Sequence, residues 1–292
     1  MALAVVLAAV ALAYTIAHAA ARRGGRTVPR PRRASAFVVG VATLGLALLG
    51  PLDAWSQVLF SAHMVQHLLL ILVSPLLLAL GRPVQVLLRG LPSRSRRAVL
   101  RQTLGRPAVR GLLTTLVHPL VLAITVNGVL AIWHVPALYT AALQHPLVHE
   151  LEHASFFGTA LLFWWALLGP ELPPAYRLST TASLLLVFAT WMASDLLGAT
   201  LTLASSPLYP EYAATPKPWG LTGLDDQRLG GLIMWVGGGV FYAIVMAAIL
   251  LSPYLWPRGR FHASAARAHP HRGSAAGRDS TVPGATATQQ DV

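Results

Sequence analysis

The sequence predicts an all-α polytopic membrane helix bundle with seven transmembrane helices, the N-terminus outside and the C-terminus cytoplasmic. Three observations predict it. Of the 292 residues, 55% are hydrophobic and 11% charged, with a mean hydropathy of +0.59, whereas a soluble domain averages about 25% charged residues. Seven apolar stretches, near 2–20, 35–52, 57–80, 112–133, 147–168, 182–204 and 230–252, each approach the roughly 20 residues that about 30 Å of hydrocarbon requires. The arginines are concentrated in alternate connections.

The net charge is +12, carried by 21 Arg and the single Lys217. In a soluble chain that excess would suggest nucleic acid; here the positions of the arginines suggest topology, and no nucleic-acid partner is expected. Arg22, Arg23, Arg26, Arg30, Arg32 and Arg33 follow the first stretch. Arg82, Arg89, Arg94, Arg96, Arg97, Arg101, Arg106 and Arg110 follow the third, and Arg258, Arg260, Arg267, Arg272 and Arg278 follow the last. The intervening connections are poor in Arg: 53–56 holds Asp53, 134–146 no charged residue, and 205–229 Glu211, Asp225 and Asp226 against Lys217 and Arg228. The positive-inside rule then places the Arg-rich connections in the cytoplasm.

Taken in order, the first stretch ends near "AHAA", which resembles a signal-peptide cleavage site. It lacks a basic n-region, and cleavage would leave six arginines outside, so it is read as retained. The second stretch is the shortest. The third opens on "SAHMVQH", which puts His63 and His67 one turn apart on one face in its outer half. The fourth ends at "IWHVP", with His134 at the outer boundary. The fifth opens on "HPLVHELEH", with His145, His149 and His153 in its first turns. The sixth carries Asp195 in its outer half, and Asp225, Asp226 and Gln227 precede the seventh. Residues 1–256 thus form the membrane domain. Residues 257–292, rich in Ala, Gly, Ser, Thr and His and holding His262, His269 and His271, read as a disordered cytoplasmic tail.

Ionisable residues inside a membrane are costly and tend to mark function. Six of the eight histidines before the tail map to one outer level; His18 and His118 lie near inner ends and read as packing or interfacial residues. With no cysteine, disulfides, thiolate metal sites and thiol catalysis are excluded, and any metal must use His, Met or carboxylate. Imidazole suits copper, zinc, iron and nickel. Met64, Met192 and Met234 lie at similar depth and would tilt the site to Cu(I), against a plain reading as apolar packing. Glu150, Glu152 and Asp195 could accept the second ring N–H of a metal-bound histidine. Glu152, next to His153 in the chain, is expected to point to a different helix face. The repeated glycines of 230–239 permit close helix approach.

His149-Glu150-Leu151-Glu152-His153 also matches H-E-x-x-H, the pattern of a zinc metalloprotease with Glu150 as general base and Asp195 as a further ligand. That reading leaves His63, His67 and His134 unused. A b-type haem held by histidines of the third and fifth spans is a further alternative. A copper permease would need ligands in the inner half, where little beyond His118 is found. A retinal-type protein is excluded, because the only lysine lies in a connection.

Three segments carry a resemblance: "HMVQHLLLILVSPLLLALGRP" (63–83), "WHVPALYTAALQHPLVHELEHASFFGTALLFWW" (133–165) and "DQRLGGLIMW" (226–235). Together they resemble the CtaG-type cytochrome c oxidase assembly proteins of bacteria, over roughly residues 57–252. His63 and His67 match that family's H-M-x-Q-H, His134 its W-H-x-P, His149 and His153 its H-x-x-E-H with Glu152 inside the motif, and Asp226 and Gln227 its D-Q. The resemblance implies a multi-pass protein of the bacterial plasma membrane that assembles a haem–copper oxidase and handles copper. The expectation is a non-enzyme with no catalytic residues. It would take Cu(I) from an extracytoplasmic carrier onto His63, His67, His149 and His153, with His134 completing the set, and pass it to an oxidase subunit. Met64, His145, Glu152, Met192, Asp195 and Asp226 are the supporting candidates.

Overall fold

The computed structural model describes residues 1–169, 171–214 and 220–255. The predicted tail with His262, His269 and His271, and Lys217, lie outside the described residues. Ten of the fifteen described α-helices begin on or beside a proline, whose fixed φ and missing N–H suit the first helical turn. α1 spans Ala2–Arg23 and α2 Pro31–Leu49, followed by a single turn, α3, Pro51–Ser56. α4, Phe60–Leu68, continues through a π-turn at Leu69–Val73 into α5, Ser74–Leu80.

The Arg-rich stretch after α5 is helical, where the sequence suggests a connection. α6, Pro83–Gly90, and α7, Ser93–Thr103, are short and amphipathic, and α7 has no buried residue. The predicted fourth span is two helices, α8, Pro107–Leu116, and α9, Pro119–Trp133, bent by 62°. Pro119 has no N–H to donate and drives His118 out of helical geometry. His118 is extended and caps α9 by accepting from Leu120 N–H at 3.3 Å.

α10, Pro136–Gln144, leads into α11, Pro146–Leu168, which ends at Gly169 with φ of +57°. α12 is Thr180–Leu203 and α13 Pro210–Ala214. α14, Gly223–Leu232, starts seven residues before the predicted 230 because Thr222 and Asp225 form a reciprocal capping box. A second π-turn, Ile233–Gly238, joins it to α15, Gly239–Leu255. Among the described residues six helical runs are long and apolar enough to cross a membrane, or seven when the bent α8–α9 pair counts as one.

Met1–Leu250 pack as one unit around the α4–α5 run, the most buried of the candidate spans. α12 and α14 touch backbone to backbone: a Cβ on Gly198 would lie 2.9 Å from the Gly231 carbonyl oxygen, and one on Gly231 would lie 2.7 Å from Thr202 N. Tyr14 ties α1 to the C-terminal end of α5, stacking on Phe37 at 3.9 Å and donating to the Gly81 carbonyl at 2.8 Å. Leu120, Ile124, Leu185, Leu196, Leu203 and Ile244 are exposed on the outer surface, which suits a lipid rather than an aqueous surrounding.

Candidate metal centre

The site is built at the start of α4. Phe60 and Ser61 carry the first N–H groups of that helix, which have no partner within it. The Asp226 carboxylate, reaching across from α14, closes them: Oδ2 accepts from Phe60 N–H at 2.7 Å and Oδ1 from Ser61 N–H at 3.0 Å and the Ser61 hydroxyl at 2.6 Å. Gln227 ties the same helix to the segment after α12, accepting from Leu208 N–H at 2.6 Å and donating to the Leu201 carbonyl at 3.2 Å. With α4 so held, His63 and His67 face inward, fully buried or nearly so.

The two rings differ in their tautomeric constraint. Tyr212 donates its hydroxyl to the Ser56 carbonyl at 2.5 Å. Its oxygen is left to accept from His63 Nδ1 at 2.9 Å. His63 Nδ1 therefore carries the proton, and its Nε2 presents a lone pair. That atom lies 2.8 Å from Nε2 of His67. His134 is constrained in the same way: its Nδ1 donates to the Leu130 carbonyl at 2.8 Å, and its Nε2 is buried without a partner among the described residues. Burial pushes the His134 imidazole down to about 4, against the opposing effect of that hydrogen bond, so it stays neutral.

α11 brings the second pair. The ring of His149 is 5.4 Å from that of His63, and the ring of His153 is 5.5 Å from that of His67. Nε2 of His149 and Nε2 of His153 are buried with no partner among the described residues. His63, His67 and His153 form one set whose ligand atoms lie within 4.8 Å of one another; His63, His149 and Glu152 form a second. Glu152 corrects the expectation that it faces elsewhere. It is fully buried, its Oε1 lies 3.6 Å from His67 Nε2, and both oxygens lack a hydrogen bond among the described residues. One turn of helix separates His149 from Glu152 and His153, so all three share a face.

The remaining sequence candidates divide by position. Met64 is fully buried but packs with Phe60 and Met234 beside the cluster. Asp226 is a cap, not a group aimed at the histidines. His145 is exposed at the N-terminus of α11. Met192 is 40% exposed, between the buried Thr190 and Ser194, and so sits on the outer face of α12. Asp195 lies against Gly239 and Trp191, in the α12–α15 contact. None of these three is brought to the cluster: His145 is the extended N-cap of α11, and Met192 and Asp195 occupy α12 positions rotated away from the buried Thr190 and Ser194. Glu150 is likewise exposed and lines an open cleft with Asp53, Leu44 and Phe157 that reaches His149 and His153.

Three tyrosines that sequence reasoning did not single out close the site from the loop end. Tyr139 and Tyr209 rings lie 4.1 Å apart, Tyr209 donates to the His134 carbonyl at 3.0 Å, and Tyr212 holds His63. Burial raises all three phenols well above their usual range, so they remain neutral donors. The only signal in the sequence is "LYPEY", two tyrosines in a connection otherwise read for its charge. Gln66 is a further participant, donating to the Ala47 carbonyl at 2.8 Å and to Asp53 at 3.0 Å.

A profile of the cytochrome c oxidase caa3 assembly factor family matches residues 12–254. The chain belongs to this family. Its curated relatives include an uncharacterised protein of Mycobacterium bovis, 30% identical over 236 residues, which are 77% of this chain and 34% of that protein. Another, from Mycobacterium leprae, is 29% identical over 250 residues, 82% of this chain and 36% of that protein. The chain thus spans about a third of the length of the curated relatives it matches. No solved structure matches the chain. The caa3 assembly factor match spans all the residues of the cluster, from His63 to Asp226.

The donor set fits a metal ion. Buried polar atoms without partners are expensive, and here several lie together: Nε2 of His149 and His153 and both oxygens of Glu152. Neutral imidazoles and one carboxylate are borderline ligands suited to copper or zinc. An ion at the His63–His67–His153 set would take the His63 Nε2 lone pair that without it accepts from His67 Nε2.

Proposed function

We propose that this caa3 assembly factor binds a copper ion, as Cu(I), on His63, His67, His149 and His153, and delivers it to an oxidase catalytic subunit at the extracytoplasmic face. The observation that carries this reading is the convergence of histidine lone pairs from α4 and α11 within 4.8 Å, in a buried, tyrosine-capped space. Copper is the cargo. His63, held by Tyr212, keeps one lone pair fixed on the ion, while His149, half-exposed on the open cleft, lies nearest the outside. The two overlapping ligand sets share His63, so an ion could exchange His67 and His153 for His149 and Glu152 without being released. Exchangeable imidazole sites suit transfer better than a closed thiolate cage. The arginine-rich α5–α8 segment supports a cytoplasmic position for that end by the positive-inside rule, and with it an outer-face position for the histidines.

The rival readings fit the geometry less well. A haem between a histidine of α4 and one of α11 needs a flat open slot, whereas Phe156 packs 4.7 Å from the His67 ring and the Glu152 carboxylate lies 3.6 Å from His67 Nε2. A zinc protease would aim Glu150 at the ion, but Glu150 is exposed and the buried acid is Glu152.

Metal analysis of the purified protein tests the proposal. Copper should bind with His63→Ala, His67→Ala, His149→Ala and His153→Ala each lowering occupancy, and oxidase activity in cells should fall in parallel. Unchanged copper stoichiometry in all four variants would end the proposal; zinc in place of copper with peptide cleavage would favour the protease.

A further inference from the structure

The opposite end of the bundle holds a group of charges that the copper reading does not use. Arg82 begins α6 with φ of +52°, a left-handed geometry rare for a residue with a side chain. Its Nε is buried and has no hydrogen-bond partner among the described residues. Arg33, Arg89 and Arg177 all lie within electrostatic reach of its guanidinium, and among the described residues Glu171 is the opposing charge acting on it.

Glu171 does not neutralise that group. Its Oε1 accepts from Gln85 N–H at 2.6 Å, closing the N-terminus of α6, and its Oε2 accepts from Trp165 Nε1 at 2.9 Å. Burial pushes this carboxyl up, and the two N–H donors and Arg82 pull it back. Arg89 is turned to the Thr27 carbonyl, and Arg177 donates its Nε to the Leu172 carbonyl at 2.9 Å. Four guanidinium charges against one engaged carboxylate leave a local excess of positive charge, and like charges held together at a membrane surface call for an anion.

Directly beside this group lies an apolar crevice between the α5–α6 junction and α11, lined by Ala79, Val84, Gly158, Leu161 and Trp165. Trp165 belongs to both features: its ring lines the crevice and its N–H holds Glu171. A Cβ on Gly158 would meet nothing within 4 Å, so the crevice is open there. Next in the chain, α7 carries Arg94, Arg96, Arg97 and Arg101 and has no buried residue. A group of guanidinium charges next to an apolar slot, the two linked through Trp165 and Glu171, matches one ligand class.

We propose that this end binds an anionic phospholipid, its phosphate on Arg33, Arg82 and Arg177 and one acyl chain in the crevice along Gly158 and Trp165. The site is independent of the copper reading. A bound lipid would brace α6 against α11, since Glu171 and Trp165 already join those two helices.

The full chain in nanodiscs of phosphatidylcholine doped with phosphatidylglycerol, released and examined by native mass spectrometry, tests it. Phosphatidylglycerol should be retained about tenfold over phosphatidylcholine, and Arg33→Gln and Gly158→Leu should each lower that retention about tenfold. Arg33 is exposed and Gly158 faces open space, so both variants should fold, which circular dichroism checks. Equal retention of the two lipids, or phosphatidylglycerol retention unmoved by either variant, would overturn the proposal. Complete displacement of phosphatidylglycerol by inorganic phosphate would assign the site to a free phosphate ion and overturn it too.

Discussion

Asp226 caps the helix of His63 from another helix: its Oδ2 accepts from Phe60 N–H at 2.7 Å, three residues before His63. The carboxylate also takes the Ser61 N–H and hydroxyl, and a negative group at a helix N-terminus is favoured by the aligned peptide dipoles. The cap sets the axial position of α4, and so the height at which its histidines meet those of α11. Asp226→Ala would orphan buried donors at about 1–3 kcal/mol each and should lower the melting temperature sharply. Asp226→Asn, which keeps one acceptor, should lie between. Copper per folded chain should stay near the wild-type value in Asp226→Asn. Loss of copper with an unchanged melting temperature would instead make Asp226 a ligand.

Tyr212 acts through His63. With its hydroxyl oxygen accepting from His63 Nδ1, it holds the tautomer that turns Nε2 into a donor for an ion. Removing such a partner typically weakens metal binding about 10–100-fold. Tyr212→Phe should therefore weaken copper binding within that range while helix content is unchanged, as measured by competition with a chelator of known affinity. Wild-type affinity in this variant would mean that His63 is oriented by packing alone.

Glu150 and Glu152 are separated by two positions and by their surroundings, one exposed and one fully buried. Glu152→Gln should lower copper occupancy, because the carboxylate lies 3.6 Å from His67 Nε2. Glu150→Gln should leave occupancy unchanged. The opposite ranking, with any peptide cleavage abolished by Glu150→Gln, would restore the protease reading of the same five residues.

Gly231 and Gly198 let α12 and α14 meet at backbone distance. A Cβ at Gly231 would stand 2.8 Å from the Gly198 carbonyl oxygen and 2.7 Å from Thr202 N. Neither atom can swing aside as a side chain would. Gly231→Ala should destabilise the bundle by about 1–3 kcal/mol, read as earlier thermal unfolding in detergent. A melting temperature equal to wild type would show that the two helices can separate without loss.

Much of the membrane architecture was legible because hydropathy is a local property: each span declares itself by its own composition. Where neighbouring residues override composition, the sequence reading missed. Pro119 breaks the predicted 112–133 span, the Thr222–Asp225 capping box moves the last helix start from 230 to Gly223, and both π-turns, Leu69–Val73 and Ile233–Gly238, went unseen. Inserting an extra residue into a helical turn leaves no compositional trace. The π-turn begins at Leu69, two residues after His67, where a change of helical phase re-aims whatever follows.

By itself the sequence determined that the chain is a helical membrane protein and that paired histidines recur at one level, since one-turn spacing on α4 and on α11 is enough to align each pair. Only the tertiary structure decided which of the polar residues meet. Glu152 joins His67 while Glu150, Met192 and Asp195 do not, and Asp226 proves to be a helix cap. Helical periodicity says which residues share a face, but the rotation of each helix about its own axis is set by its packing partners: the backbone contact of Gly198 with Gly231, the Asp226 cap and the Tyr212 brace. Those contacts join residues as much as 166 positions apart, beyond the reach of any local pattern.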